Sequence, residues 1–443
     1  MKQNITRIAV ALQALFGETA DRIARETGFI QRQVKVTGSK FVQTLVFGFL
    51  GNPELSYGEM SQSAAAVDMA ITPQGIEQRF SETAVAFMER MLNEVVQAVV
   101  VEGTNQREGL LGRFNRVYLR DSSVVMLPAG LTEKWRGNGS AQGANAAVKL
   151  HVEMNYSSGE MRGPELSDGR SADLSSSLRT AQLPAGALDL ADLGYFELDR
   201  FAEAQTAEVY WLSRWKVCAN AYWPDGQPIK LLSWLRDQEA TLLDVPIRVG
   251  AKHRIPCRLL VERVPPSVAQ QRRRRIRDAA RQRGETPSQE SLTLADWTVV
   301  ITNASVELMS AQEAFILLHI RWQIELLFKL WKSHAKIDEW RSENPHRILC
   351  ELYAKLIGVV VSQWMFITAF WYIPARSLFR AAKTIRMFAI ALAITFDNLA
   401  FFMKVLTILC TTLQSSCTVQ SRKAHPAAFQ LLLDSPLIED PLC

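Results

Sequence analysis

The spacing of apolar residues predicts helices at both ends of the chain and strands in its middle. Up to about residue 105, apolar side chains recur at helical spacing, as in Val85, Met88, Leu92, Val95 and Val99. A repeat of three to four residues is that of an amphipathic helix. We therefore expect these five side chains to pack in a core.

Two short helices are predicted inside this N-terminal region. Ser56-Tyr57-Gly58-Glu59 has the sequence of a capping box, and Thr72-Pro73 joins a capping side chain to a proline at the first helical position. A turn is expected between them, near Asp68. This helix–turn–helix spacing suits the DNA major groove. Any helical hairpin shares it, so DNA contact and plain packing are equal alternatives.

Alternation of apolar and polar residues begins after Arg116 and predicts a mixed sheet. Pro128 ends the first strand, and a Ser157-Ser158-Gly159 turn separates two others. Strands are expected at residues 117–127, 148–154, just after the turn, 188–192 and 209–212. Strands followed by helices indicate an α/β domain.

The segment 216–309 is predicted to be a β-rich insertion into that domain. Its strand-like stretches surround an arginine-rich run, Arg272-Arg273-Arg274-Arg275-Ile276-Arg277, which is a candidate for phosphate contact or for a solvated helix face. The stretches lie at residues 229–234, 247–249, 259–264 and 297–301. A capping box at Ser310-Ala311-Gln312-Glu313 then begins a helix expected to reach about Ser333. Helices are expected again from Asn344-Pro345 to about Leu413.

Composition indicates a globular protein of two or three domains. The 443 residues are 48% hydrophobic and 21% charged, and the net charge of +5 neither requires nor excludes nucleic acid. The six cysteines are scattered without a C-x-x-C pair, which argues against a disulfide framework or zinc site and fits a reducing cytoplasm. The N-terminus does not have the pattern of a signal peptide.

Two uncharged stretches raise the alternative of a membrane protein. Residues 356–375 are long enough to span a bilayer, and residues 405–421 form a second stretch. Ser362, Gln363 and Thr368 fit a buried helix better than a lipid-facing one. We therefore expect a pair of buried helices and no membrane partner.

Three acidic residues are candidates for catalysis. Asp121 lies within the first strand, where a carboxylate is costly unless it is paired or binds a metal. Asp192 lies at a strand end before a turn, a frequent place for functional groups in layered α/β folds. Glu325 lies in the helix after the insertion. Each residue alone also fits an ordinary surface or turn position.

The helix around Glu325 adds to the case. At about 100° per residue, Arg321, Glu325 and Lys332 fall within roughly 40° of one another. Such a stripe fits either a structural Arg–Glu pair or a metal-binding carboxylate beside cations that hold phosphate. Trp322, on the same helix, is expected to pack in the core.

These residues resemble a known family, the insertion-sequence-4-type DDE transposases. Arg321-x3-Glu325-x6-Lys332 matches the later part of their Tyr-Arg-Glu-Lys signature. Tyr118-Leu119-Arg120-Asp121-Ser122-Ser123 and Ala191-Asp192-Leu193-Gly194-Tyr195-Phe196 resemble the blocks around their first and second aspartates. The resemblance covers roughly residues 35–370. One departure is that Leu318 occupies the signature's Tyr position, and a leucine side chain cannot hydrogen-bond a phosphate of the DNA end.

The resemblance implies a DNA transposase that cleaves transposon ends and transfers the 3′ ends into target DNA by cut-and-paste. Asp121, Asp192 and Glu325 would be the catalytic residues and metal ligands. Oxygen ligands without His or Cys favour Mg²⁺, with Mn²⁺ tolerated, and two such ions can stabilise the attacking and leaving oxygens of a phosphodiester.

The family also implies DNA-binding residues and partners. Arg321 and Lys332 would hold phosphates of the transposon end, Arg214 and Lys216 would contact DNA, and Trp297 would stack on a flipped base or pack the insertion. The expected partners are double-stranded DNA, as transposon ends and target, and a second copy in a homodimeric end complex. The expected location is the nucleoid in the cytoplasm of a prokaryotic cell.

The implied fold is an α/β RNase H-like catalytic domain with a β-rich insertion, flanked by α-helical N- and C-terminal regions. Its predicted parts are a helical DNA-binding region at 1–105, the RNase H-like core at 106–215 and 310–345, the insertion at 216–309 and a helical C-terminal region at 346–443. The alternatives are an RNase H-like nuclease without strand transfer and a DNA-binding relative that has lost catalysis, for which Leu318 is the hint.

Overall fold

The computed structural model describes residues 1–32, 35–103, 109–140, 143–180, 182–419, 430 and 432. The chain forms two compact units, each assembled from separate stretches of sequence. The first unit comprises Met1–Gln106, Asp121–Thr180 and Ile324–Phe429, and the second comprises Arg107–Arg120, Ala181–Gln323 and Gln430–Cys443. Both contain helices and strands, so the protein is of the mixed α/β class. Apart from residues 430 and 432, the predicted C-terminal region beyond 419 lies outside the described residues.

The first unit is mainly helical. Its helices are α1 (Lys2–Ala14), α2 (Ala20–Glu26), α3 (Gly38–Gly51), α4 (Tyr57–Ala65), α5 (Pro73–Glu77), α6 (Glu82–Gln97), most of α12 (Trp322–His334), α13 (Pro345–Ala369), α14 (Leu378–Thr395) and α15 (Leu399–Ser416). A π-helical turn, Leu15–Thr19, joins α1 to α2.

The N-terminal helix signals are confirmed. Ser56 and Glu59 form the capping box of α4, and the Thr72 side chain accepts a hydrogen bond from the Gly75 N–H at the start of α5. Of the five apolar residues expected in a core, four are buried in α6. Val99 is 88% exposed, because α6 ends at Gln97 and the helical repeat no longer applies beyond it.

The strands of the first unit include the second part of β1 (Val117–Leu127), with β2 (Arg136–Ser140), β3 (Gly143–Asn155) and β4 (Met161–Asp168). The strand β3 pairs antiparallel with both β2 and β4. In the turn before β4, Gly159 has φ +82, and a Cβ there would lie 2.4 Å from the Trp371 ring. Only glycine fits this turn without strain.

The core helix of the first unit is α13, in which the 356–375 stretch is buried as predicted up to the helix end at Ala369. Burial extends even to its charges: the Lys355 Nζ lies 2.7 Å from the Glu351 carboxylate and donates to the carbonyls of Lys336 and Glu339. Arg347 donates to the Leu55 carbonyl. A buried charge is tolerated when it is paired and hydrogen-bonded in this way.

Two described helices, α13 and α15, are long and apolar enough to cross a membrane. The most apolar window of α13 is 94% buried within the protein, but that of α15 is only 28% buried. The expectation of two buried helices is therefore right for α13 and wrong for α15. The sequence could not distinguish the buried helix from the exposed one, because a lack of charged residues does not show whether a helix packs against other elements.

The second unit is built on strands. They are the first part of β1, with β5 (Leu188–Ala191), β6 (Tyr210–Arg214), β7 (Ala221–Tyr222), β8 (Leu242–Val249), β9 (Ile255–Arg263) and β10 (Trp297–Thr302). Their order is β1-β5-β6-β10-β9-β8-β7. The pairs β1–β5 and β5–β6 are parallel, and the pairs from β6 to β7 are antiparallel. Its helices are α7 (Leu198–Thr206), α8 (Leu231–Arg236), α9 (Pro266–Gln282), α10 (Gln289–Leu294) and α11 (Ala311–Ile320).

The segment predicted as a β-rich insertion contains helices as well. Three of its predicted strands exist, as parts of β8, β9 and β10. Residues 229–234 were expected as a strand, but α8 occupies most of that stretch. A six-residue apolar run fits a strand and a buried helix turn alike, and here α8 buries Leu231 and Leu235. The arginine-rich run is helical too, within α9.

The helix predicted from residue 310 to about Ser333 is two helices. The capping box of Ser310 and Glu313 begins α11 as predicted, and α11 ends at Ile320. The next helix, α12, begins at Trp322, so Arg321 lies at the junction. The periodicity of the sequence continues through this break, which is why it was not predicted.

Candidate active site

In the second unit, Asp192 directly follows β5 and precedes a 3-10 turn, Leu193–Tyr195. Its side chain is 42% exposed, and its Oδ1 lies 3.5 Å from the Arg321 Nη1. The strand end therefore presents a carboxylate that is both accessible and held by a cation.

Arg321 is mostly buried beside Asp192. Its side chain is only 10% exposed, and one of its nitrogens faces Asp192. The spacing of the sequence predicts where Arg321 lies around the helix, but it does not predict how deeply its side chain is buried. In this structure Arg321 orients a carboxylate, while its predicted role toward DNA stays a prediction.

A buried ion cluster next to Asp192 was not foreseen. Asp189 lies in β5, 6% exposed, where its carboxylate is bonded to Arg200 and lies 3.7 Å from Arg120 Nη1. Arg120 is the residue before Asp121, and its own exposure is 1%. The available signal was an aspartate between Leu188 and Leu190, where a buried carboxylate needs cationic partners.

The other predicted DNA-binding residues of the second unit lie around β6 and β10. Arg214 ends β6 and is exposed, and Lys216 is exposed with its Nζ 5.8 Å from the Phe196 ring centroid. Trp297 is only 6% exposed, and the Arg263 guanidinium lies 4.3 Å from its ring centroid. The burial of Trp297 favours the interpretation that it packs in the insertion.

In the first unit, Asp121 is half-buried and its carboxylate is oriented by its neighbour. The Ser122 N–H donates to Asp121 Oδ1 at 2.8 Å. The Ser122 hydroxyl donates to Asp173 at 2.6 Å, and the Lys149 Nζ lies 3.2 Å from the same Asp173 oxygen. Asp173 and Lys149 thus hold the residue that orients Asp121, a function that no local sequence signal indicated.

Glu325 and Lys332 both lie in α12, where Glu325 is half-buried in the first turn. The Lys332 Nζ donates to the Val124 carbonyl at 2.9 Å. This bond ties α12 to the part of β1 that follows Asp121. Lys332 therefore has a structural contact within the first unit beside its predicted role in binding phosphate.

The candidate metal ligands are the three acids Asp121, Asp192 and Glu325. Within the described ranges, no three His, Cys, Asp or Glu side chains are grouped closely enough to hold an ion. Asp121 and Glu325 belong to the first unit and Asp192 to the second. The donor chemistry of the three residues, oxygen only, is nevertheless that of a Mg²⁺ site.

Two residues of the signature region differ in exposure. Trp322, expected in the core, is instead 53% exposed at the start of α12. Leu318, in α11, is neither fully buried nor fully exposed. The Leu318 side chain is therefore open enough on one side to be replaced by a larger residue.

Comparison with known proteins identifies the class. The family model for the transposase DDE domain matches residues 112–360, more than half of the chain. The chain belongs to this family of DDE transposases.

Its relatives are transposases of bacterial insertion sequences. The transposase for insertion sequence element IS231F of Bacillus thuringiensis subsp. israelensis is 27% identical over 365 residues, which cover 77% of this chain and 76% of that protein. The transposase for insertion sequence element IS1151 of Clostridium perfringens is 24% identical over 373 residues, covering 79% and 78%. The prediction that this chain is an insertion-sequence DDE transposase is confirmed.

Proposed function

We propose that this transposase cleaves the ends of its insertion sequence and joins the freed 3′ ends to target DNA by two-metal phosphoryl transfer. The supporting observation is the register of two parallel strands. Arg120 in β1 is paired with Ala191 in β5, and Asp121 and Asp192 are the residues that follow this pair in each chain segment. Adjacent parallel strands carry functional groups at equivalent ends in α/β folds. We infer an RNase H-like core on the same ground.

The proposed metal ligands are Asp121, Asp192 and Glu325. Carboxylate oxygens alone suit Mg²⁺, with Mn²⁺ tolerated, and bound divalent ions would supply charge stabilisation to the attacking and leaving oxygens. Ser122 would hold the Asp121 carboxylate, and Arg321 would hold that of Asp192. Preorganised ligands of this kind spare the site a reorganisation when the substrate binds.

The proposed partners are duplex DNA, as transposon ends and target, and a second copy of the chain in the end complex. Arg214 and Lys216 are exposed and would contact DNA, and Lys332 would add a phosphate contact at the transposon end. The helices α4 and α5 would supply part of the N-terminal DNA-binding region. The proposed location is the nucleoid of a prokaryotic cytoplasm.

The test is cleavage and joining of end-containing DNA in Mg²⁺ by the full chain. Asp121→Ala, Asp192→Ala and Glu325→Ala should each abolish cleavage and leave binding to end DNA nearly unchanged, because each removes a proposed metal ligand and no phosphate contact. Exposed Asp338→Ala is the matched control. Near wild-type cleavage by any of the three variants would remove that residue from the site. Nicks without joined products in the wild type would favour a nuclease without strand transfer.

A further inference from the structure

The arginines of α9 fall into two groups, one that attaches the helix to neighbouring elements and one that is exposed. Arg272 Nη1 donates to the Trp297 carbonyl at 3.0 Å, and its Nη2 donates to the Thr298 hydroxyl at 3.1 Å. Arg273 is bonded to Asp296 and to the Leu292 carbonyl. Both side chains therefore fasten α9 to the start of β10 and to α10.

The other four arginines of this helix, Arg274, Arg275, Arg277 and Arg281, are exposed. Ala269 and Ala280 are buried, at 2% and 3% exposure, and mark the inner face. At about 100° per residue, Arg274, Arg277 and Arg281 lie within roughly 60° of one another, about 100° around the helix from those alanines. Arg275 lies about 100° beyond Arg274 and does not belong to this group. The three arginines of the group follow the helix for about 10 Å at a rise of about 1.5 Å per residue.

Acidic neighbours do little to neutralise this face. Along α9 the one acidic residue is Asp278, whose Oδ2 lies 3.9 Å from the Arg274 Nε, with the two side chains 55% and 84% exposed. An ion pair this open to solvent is weak. The three guanidinium groups thus remain available to a polyanion outside the protein.

We propose that Arg274, Arg277 and Arg281 form a phosphate-binding surface that engages the backbone of duplex DNA without regard to base sequence. The proposal rests on the proposed function, which supplies DNA as the partner. Arginines aligned along a helix can follow a row of phosphates, and such contacts position a protein on DNA without reading bases. The arginines of α9 therefore have two tasks: Arg272 and Arg273 attach the helix, and Arg274, Arg277 and Arg281 bind DNA.

The experiment measures affinity against salt concentration for the full chain on two duplexes, one containing a transposon end and one of scrambled sequence. The test variant is Arg274→Gln/Arg277→Gln/Arg281→Gln, in which glutamine keeps the helix propensity. The control, Arg236→Gln/Arg248→Gln/Lys252→Gln, removes three exposed cations elsewhere in the second unit. Unchanged melting temperatures would establish that all proteins are folded.

The test variant should lower the slope of log affinity against log salt by up to about 0.9 per lost contact, equally on both duplexes. The control should change it much less. An unchanged slope, a loss confined to the end-containing duplex, or an equal loss in the control would overturn the proposal. Cleavage by the wild type is scored separately, so a failure of the proposed function is distinguishable from a failure of this surface.

Discussion

At the scale of single residues, the structure adds positioning groups to the predicted acids. The sequence made Asp121 a candidate because a carboxylate within a strand is costly unless it is paired or binds a metal, and Asp192 because strand ends often carry functional groups. Asp173 and Lys149 were not predicted, because Asp173 comes from a 3-10 turn and reaches Ser122 only through the fold, and Lys149 comes from β3 and contacts Asp173. Local pattern carries no information on such contacts.

The Asp173 contact leads to the first prediction at this scale. Asp173→Ala removes the acceptor of the Ser122 hydroxyl and should slow single-turnover cleavage by about 10-fold, because a loosened Ser122 lets the Asp121 carboxylate leave its productive orientation. Binding to end DNA should not change, and Asp173→Glu, which keeps an acceptor, should retain part of the rate. The exposed Asp338→Ala is the control. A cleavage rate equal to that of the wild type would show that Ser122 holds its position without Asp173.

The departure at Leu318 can be tested by restoring the family residue. Leu318→Tyr should leave the melting temperature nearly unchanged, because the side chain is only partly enclosed in α11. One added phosphate hydrogen bond is worth about 1 kcal/mol, so end cleavage should rise severalfold or stay level if another residue already fills the role. A fall in both melting temperature and cleavage would mean that the tyrosine is overpacked against the core.

At the scale of elements, the starts of helices were easier to predict than the break between α11 and α12 or the secondary structure of the insertion. The capping boxes at Ser56 and Ser310 begin α4 and α11 as expected. The break at Arg321 and the helix α8 were missed, since a short apolar run and a continuous periodicity do not specify which tertiary partner a segment finds. Secondary structure in the insertion depends on its packing around Trp211 and Leu235, which are remote in sequence.

The start of α11 gives the prediction at this scale. Burial alone would raise the pKa of Glu313, but hydrogen bonds from Arg113 and from Ser310 outweigh it and lower that pKa below its usual value. A lowered folded-state pKa adds stability above the unfolded pKa, and this contribution is lost as the pH falls through the folded value.

We therefore expect Glu313→Gln to reduce the free energy of unfolding by about 1–3 kcal/mol at pH 7. The difference from the wild type should shrink as the pH is lowered below about 4.5, the ordinary glutamate value. Thermal or urea unfolding across this range measures it, with the exposed Glu290→Gln as control. A destabilisation that is the same at every pH would exclude the charge of Glu313 as its cause.

At the scale of the whole molecule, the class of the protein was predictable because three acidic blocks and a helix stripe occur in the right order. The arrangement of the chain was less so. Its two compact units each draw on widely separated stretches of sequence, and both β1 and α12 contribute residues to each unit. The predicted division, with its core at 106–215 and 310–345, stays a prediction. Interleaving of this kind is set by contacts between distant stretches, which the order of the sequence does not show.

The last prediction concerns the two apolar helices as parts of the whole chain. A membrane span needs about 20 residues that can face lipid. The α13 window is 94% buried and its charged residues are paired inside the protein, so extracting this helix into a bilayer would dismantle the core of the first unit. The more open α15 has Lys404 in its first half and a polar end at Gln414 and Ser415. We therefore expect the full chain, once bound to DNA, to stay in the supernatant of a high-speed centrifugation without detergent. Recovery in the membrane pellet alone would contradict both this expectation and the proposed action on DNA.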